Sequence, residues 1–120
     1  MFTLAPKGYV STTVLSTHLI ISAKPGIIAA CAGQIAPSAP SGTYYVQLID
    51  SAAAVDGGGA ITPIAQIIIP HTTSIPTTFS LADSIPIGGV SVNQGAVVQL
   101  STTYGTGTLA GAYLNAAAAR

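Results

Sequence analysis

Short runs of Ile, Val, Leu, Thr and Tyr, each cut off by glycine or proline, set the pattern of this chain. These residue types favour a pleated, half-buried strand, and Gly and Pro are the usual punctuation between strands. No segment keeps helical spacing over three turns. The clearest element is Tyr44–Asp50, where side chains alternate between faces: Tyr44, Val46 and Leu48 on one side, Tyr45, Gln47 and Ile49 on the other. Both sides are partly apolar, which predicts a central strand or one whose outer face is covered. Thr77–Leu81 alternates with Phe79 and Leu81 inward and Thr78 and Ser80 outward. Ala96–Thr102 sets Ala96, Val98 and Leu100 against Val97, Gln99 and Ser101.

Weaker patterns predict strands at Tyr9–Leu15, at His18–Ser22, at Ile27–Ile35, at Ile64–Ile69 between Pro63 and Pro70, at Val90–Val92 and at Leu109–Leu114. Lys24-Pro25-Gly26 reads as a type II turn. Residues 36–42, 51–59, 83–89 and 104–108 read as loops. The tail Ala116–Arg120 has good helix propensity but is too short to nucleate a helix alone. About eight short strands at regular spacing predict an all-β chain. The expected fold is an antiparallel β-sandwich, jelly-roll-like or Ig-like, forming one domain over 1–120. Residues 1–8 and 109–120 are expected to be arms contacting neighbours.

Charge changes the picture. Only Lys7, Lys24, Arg120, Asp50, Asp56 and Asp83 are charged, 5% of 120 residues with a net charge of zero, where an ordinary domain is about 25% charged. Disorder usually pairs low hydrophobicity with high charge, whereas this chain is 49% hydrophobic. A neutral monomer lacks the repulsion that keeps molecules apart in solution, so much of its surface is expected to face other protein. The longest apolar stretches, Ile27–Ala32 and Ile67–Ile69, fall well short of the roughly 20 residues a spanning helix needs. Met1–Leu4 carries no basic residue ahead of a sustained apolar region, so no secretory signal is read and synthesis and assembly in a cytoplasm are expected.

The candidate chemistry is sparse. Cys31 stands alone in Ile27–Ala32 and reads as a small buried hydrophobe. His18 and His71 show no clustered metal-ligand spacing, and each reads as a surface or loop histidine. Asp50 and Asp56 flank one loop, which leaves a weak calcium site conceivable; the plainer reading is that they and Asp83 shape turns through hydrogen bonds to backbone. Gly57-Gly58-Gly59 is not followed by the Lys-Ser/Thr of a phosphate loop. Three scattered basic residues make no patch for nucleic acid. Tyr44, Tyr45, Tyr104 and Tyr113 are candidates for a carbohydrate or partner surface, or for half-buried positions with the hydroxyl satisfied. No catalytic residue, metal ligand or cofactor is expected, and the chain does not read as an enzyme.

A further pattern runs from Tyr44-Tyr45-Val46-Gln47-Leu48-Ile49-Asp50-Ser51-Ala52, through a glycine-rich loop and an Ile-rich strand ending in Pro70, to Thr78-Phe79-Ser80-Leu81 and the close Gly95-Ala96-Val97-Val98-Gln99-Leu100-Ser101-Thr102-Thr103. Over roughly residues 26–108 it resembles small β-sandwich structural proteins of tailed-bacteriophage virions. The resemblance implies a many-copy, non-enzymatic virion component assembled in the host cytoplasm. Foremost is a capsid decoration (cement) protein, forming symmetric homo-oligomers such as trimers on the major capsid protein. The alternative is a tail, neck or fibre component touching host glycans. Neither nucleic acid nor membrane is an expected partner.

Overall fold

The structure is a computed structural model that describes residues 8–120. The arm expected over 1–8 therefore lies outside the described residues, Gly8 excepted. The described chain is all-β and every strand pairing is antiparallel. The strands are β1 (Val10–Ser11), β2 (His18–Ser22), β3 (Gly26–Ile28), β4 (Ala30–Ile35), β5 (Gly42–Ile49), β6 (Gly59–Ala60), β7 (Pro63–His71), β8 (Thr77–Ser80), β9 (Val90–Val92), β10 (Ala96–Ser101), β11 (Thr106–Gly107) and β12 (Leu114–Ala119).

Two four-stranded sheets make the body, sheet A in the order β1-β12-β4-β8 and sheet B in the order β2-β10-β5-β7. Two short ladders, β3 with β9 and β6 with β11, close the ends. Both sheets feed one core. Ile21, Val98, Leu100, Val46 and Leu48 come from sheet B; Cys31, Ile35, Phe79, Leu114 and Ala116 come from sheet A. This is the sandwich arrangement, in which the inner faces of two sheets share an apolar layer.

The alternation read from the sequence sets these faces. Phe79 and Leu81 are buried while Thr78 and Ser80 are exposed. All six residues of β10 are buried, because β10 lies between β2 and β5 and its outer face is covered as well. Three readings change. Ile27–Ile35 is not one strand: Ala29 and Ala30 are both exposed, alternation breaks, and the chain passes from pairing with β9 to pairing with β12. Tyr9–Leu15 contracts to β1. Most consequentially, the arm read over 109–120 supplies β12, an interior strand between β1 and β4. Leu114, Ala116 and Ala118 point into the core and Asn115, Ala117 and Ala119 point out. Helix propensity in the alanine run is overridden, because as a strand it pairs along both edges and buries every second side chain.

Prolines 63 and 70 lie inside β7 rather than beyond its ends. β7 is the outer strand of sheet B, and an outer strand tolerates a residue without an N–H.

Candidate functional site

The outer face of sheet B carries three glutamines in register. Gln47 faces Gln66 across β5 and β7, and Gln99 faces Gln47 across β10 and β5. Gln47 and Gln99 are both 0% exposed. A buried amide must be satisfied or it destabilises the fold, and these are. Gln99 Nε2 donates to Gln47 Oε1 at 3.0 Å, and Gln47 Nε2 donates to Gln66 Oε1 at 2.8 Å.

The remaining capacity of this ladder fastens two loops over the sheet. Gln47 Nε2 also reaches the carbonyls of Thr106 at 2.9 Å and Thr103 at 3.2 Å. Gln99 binds Val55 from both sides, accepting from its N–H at 2.9 Å and donating to its carbonyl at 2.8 Å. Gly105 N–H donates to Gln66 Oε1 at 2.9 Å. Gly107 has to be glycine for this to close. A Cβ there would stand 2.8 Å from the Val55 carbonyl carbon and 3.0 Å from Gln99 Nε2. Sequence reading placed Gln47 and Gln99 on half-apolar faces but missed the ladder. Its signal was a glutamine amid apolar residues in three successive strand runs; the register that aligns them is tertiary.

The carboxylates are spent on backbone. Asp50 accepts from the N–H groups of Gln94 at 2.9 Å and Asn93 at 3.0 Å, and these donors hold its carboxyl below the ordinary 3.8. Asp56 accepts from Leu109 N–H at 2.9 Å. That bond, with one from Gly57, lowers its carboxyl likewise. Both act as the turn-shaping reading expected, although each ties down a loop distant in sequence rather than its own. Asp83 differs: it sits inside the 3-10 turn Ala82–Ser84, and Ser80 Oγ, not Asp83, accepts the Ala82 N–H.

His18 begins β2 and is half-buried, with Nδ1 2.8 Å from Thr17 Oγ1. His71 corrects the surface reading: it ends β7, is 5% exposed, and bonds through Nδ1 to Thr77 Oγ1 at 2.8 Å. Its ring meets Tyr44 edge-on, with centroids 5.8 Å apart. Burial follows because Gly42 pairs with His71 at the sheet's end and Tyr44 and Thr77 close over it. His71 Nε2 is buried with no hydrogen-bond partner among the described residues. The two histidines lie on opposite outer strands of sheet B. Among the described residues no three His, Cys, Asp or Glu side chains gather as a metal-binding group. Burial pushes the Cys31 thiol up to about 12, so it packs as the hydrophobe expected.

The tyrosines divide. Tyr44 is in the core, its hydroxyl donating to the Pro40 carbonyl at 2.6 Å. Tyr113 is half-buried against that core. Tyr45 and Tyr104 stand edge to face outside sheet B, with centroids 5.7 Å apart. Ile68, 61% exposed, pairs with Tyr45 on the same sheet, and Tyr104 is exposed as well.

The outer face of sheet A is of another kind. Its floor is Ala30 and Ala32 of β4 with Ala117 and Ala119 of β12, and an open groove of about 650 Å³ lies over it. Pro86–Gly89 forms one wall and Tyr9 stands at the opposite side. Such a floor of methyl groups offers shape and apolar contact, not acid–base chemistry. No helix among the described residues is long and apolar enough to cross a membrane. No protein-family model, curated protein or solved structure matches the chain.

Proposed function

We propose that the chain is a virion structural protein, a decoration protein that stiffens a phage capsid as a symmetric homo-oligomer seated on the major capsid protein. The observation that carries this reading is β7. It is nine residues long, lies at the end of sheet B, bears no charged side chain and presents an exposed Ile68. An outer strand leaves backbone groups unpaired on one side, and solitary proteins guard such edges with charge, especially lysine. Here the guard is missing, and a neighbouring subunit is the cover. Neutral Thr, Ser, Gln and Ala surfaces suit that role, since they pack without the desolvation penalty of buried charges.

The test is to purify the chain, measure its mass by sedimentation, and titrate it onto emptied phage capsids. A defined oligomer with saturable binding is expected, and Ile68→Lys should break one or both. A monomer that binds no shell at any concentration overturns the proposal. The exposed Tyr45–Tyr104 pair beside Ile68 favours one second reading, a tail, neck or fibre component whose aromatic patch touches host glycans. Binding on a glycan array that Tyr104→Ala abolishes, without shell binding, would select it.

A further inference from the structure

The alanine-floored groove on sheet A points to an occupant within the same chain. Gly8, the first described residue, lies at the rim of that groove, next to Tyr9. Its φ of +73° is in the left-handed region that favours glycine. A Cβ at this position would collide with the Arg120 side chain, whose own Nη1 donates to the Ile21 carbonyl at 2.8 Å. The corner is therefore packed, and the backbone turns there instead of prolonging β1 along β12.

Length and chemistry fit the space beyond. Residues 1–7 read Met-Phe-Thr-Leu-Ala-Pro-Lys, with one charged side chain, Lys7, at the end nearest Gly8. Seven extended residues reach about 23 Å. Three strand spacings, from β1 across β12 and β4 to β8, amount to about 14 Å. Phe2 and Leu4 are two apart, so an extended segment points both to one face. A floor of alanines leaves room for exactly the large apolar side chains that the floor itself lacks, and the Pro86–Gly89 wall, with Ile87 fully exposed, would flank the far end.

We infer that Met1–Lys7 folds back over sheet A of its own chain, with Phe2 and Leu4 seated in the groove over Ala30, Ala32, Ala117 and Ala119. The tether favours the chain's own segment over a neighbour's, because a short linker holds it at millimolar effective concentration. The inference concerns sheet A and stands apart from the virion reading, which rests on sheet B.

The experiment is a disulfide test in a Cys31→Ala background, pairing Leu4→Cys with Ala32→Cys in the full chain. The control pairs Leu4→Cys with Ile68→Cys on the other sheet. Mild oxidation should give a cross-link within one chain, in a yield independent of dilution and at least several-fold above the control. Cross-linked dimers that disappear on dilution would assign the groove to a second copy's arm and overturn the inference. A yield no higher than the control's would overturn it too. As a second measurement, Phe2→Ser/Leu4→Ser, checked for an unchanged far-UV spectrum, should raise the fluorescence of an apolar-surface dye several-fold. Equal dye binding by the variant and the parent chain would also refute the seating.

Discussion

Gln47→Leu is the sharpest probe of the buried amide ladder. Leucine has similar bulk but removes the donor that serves Gln66, Thr103 and Thr106, and the acceptor that serves Gln99. The losses are unequal. Thr106 O keeps the Ser101 and Thr103 hydroxyls, and Gln66 Oε1 keeps Gly105 N–H. One Gln99 N–H is left in a site with 0% exposure. A stranded buried donor costs about 1–3 kcal/mol and each lost neutral bond about 1 kcal/mol. Apolar burial of the leucine offsets part of this, so the expected loss is about 2–4 kcal/mol. In a chain of this size that lowers Tm by about 4 °C per kcal/mol.

Gln66→Leu is the comparator. Gln66 is half-buried, water can replace its partners, and the expected loss is within about 1 kcal/mol. Gln99→Leu completes a cycle: once Gln99 is gone, Gln47→Leu strands nothing, and its penalty should shrink by about 1–2 kcal/mol. Urea unfolding of the single and double variants measures all four corners. If Gln47→Leu costs no more than Gln66→Leu, or if the Gln47 and Gln99 penalties simply add, the ladder does not hold the loops as argued.

Cys31 should resist a thiol reagent at neutral pH in the folded chain and react at once in denaturant, since burial keeps the thiol protonated to about 12; rapid labelling of native protein would contradict its place in the core. Asp50 is held below 3.8 by backbone donors, so its stabilising effect is fully present above that pH and fades as pH falls through its lower folded value. Asp50→Asn should therefore lower the urea midpoint at pH 7, and the gap to the parent should close in acid; a gap constant with pH would refute the assignment. Gly107→Ala should destabilise and loosen the loops 51–60 and 102–108 together, read as faster amide exchange in both; protection unchanged in either loop would break the link. Leu48→Ala removes a fully buried core side chain and should cost about 2–5 kcal/mol, while Ile87→Ser, at an exposed position, should stay within about 0.5 kcal/mol by the same denaturation assay.

Local pattern alone determined much of this protein. The period-two alternation in Tyr44–Asp50, Thr77–Leu81 and Ala96–Thr102 names the buried faces correctly, because a strand's side chains must alternate and one face must leave water. The near absence of charge, and Cys31 as a core residue, were equally legible. Register, partner choice and the ends of the chain were decided only in three dimensions. Nothing local distinguishes Leu114–Ala119 as an interior strand, because its alanines favour a helix until β1 and β4 pair with both of its edges. Nothing local shows that Gln66, Gln47 and Gln99 align, that His71 is enclosed by Tyr44 and Thr77, or that Asp50 and Asp56 bind loops more than forty residues away. Each of these depends on which strands lie side by side, a property of long-range pairing that a short window of residues does not contain.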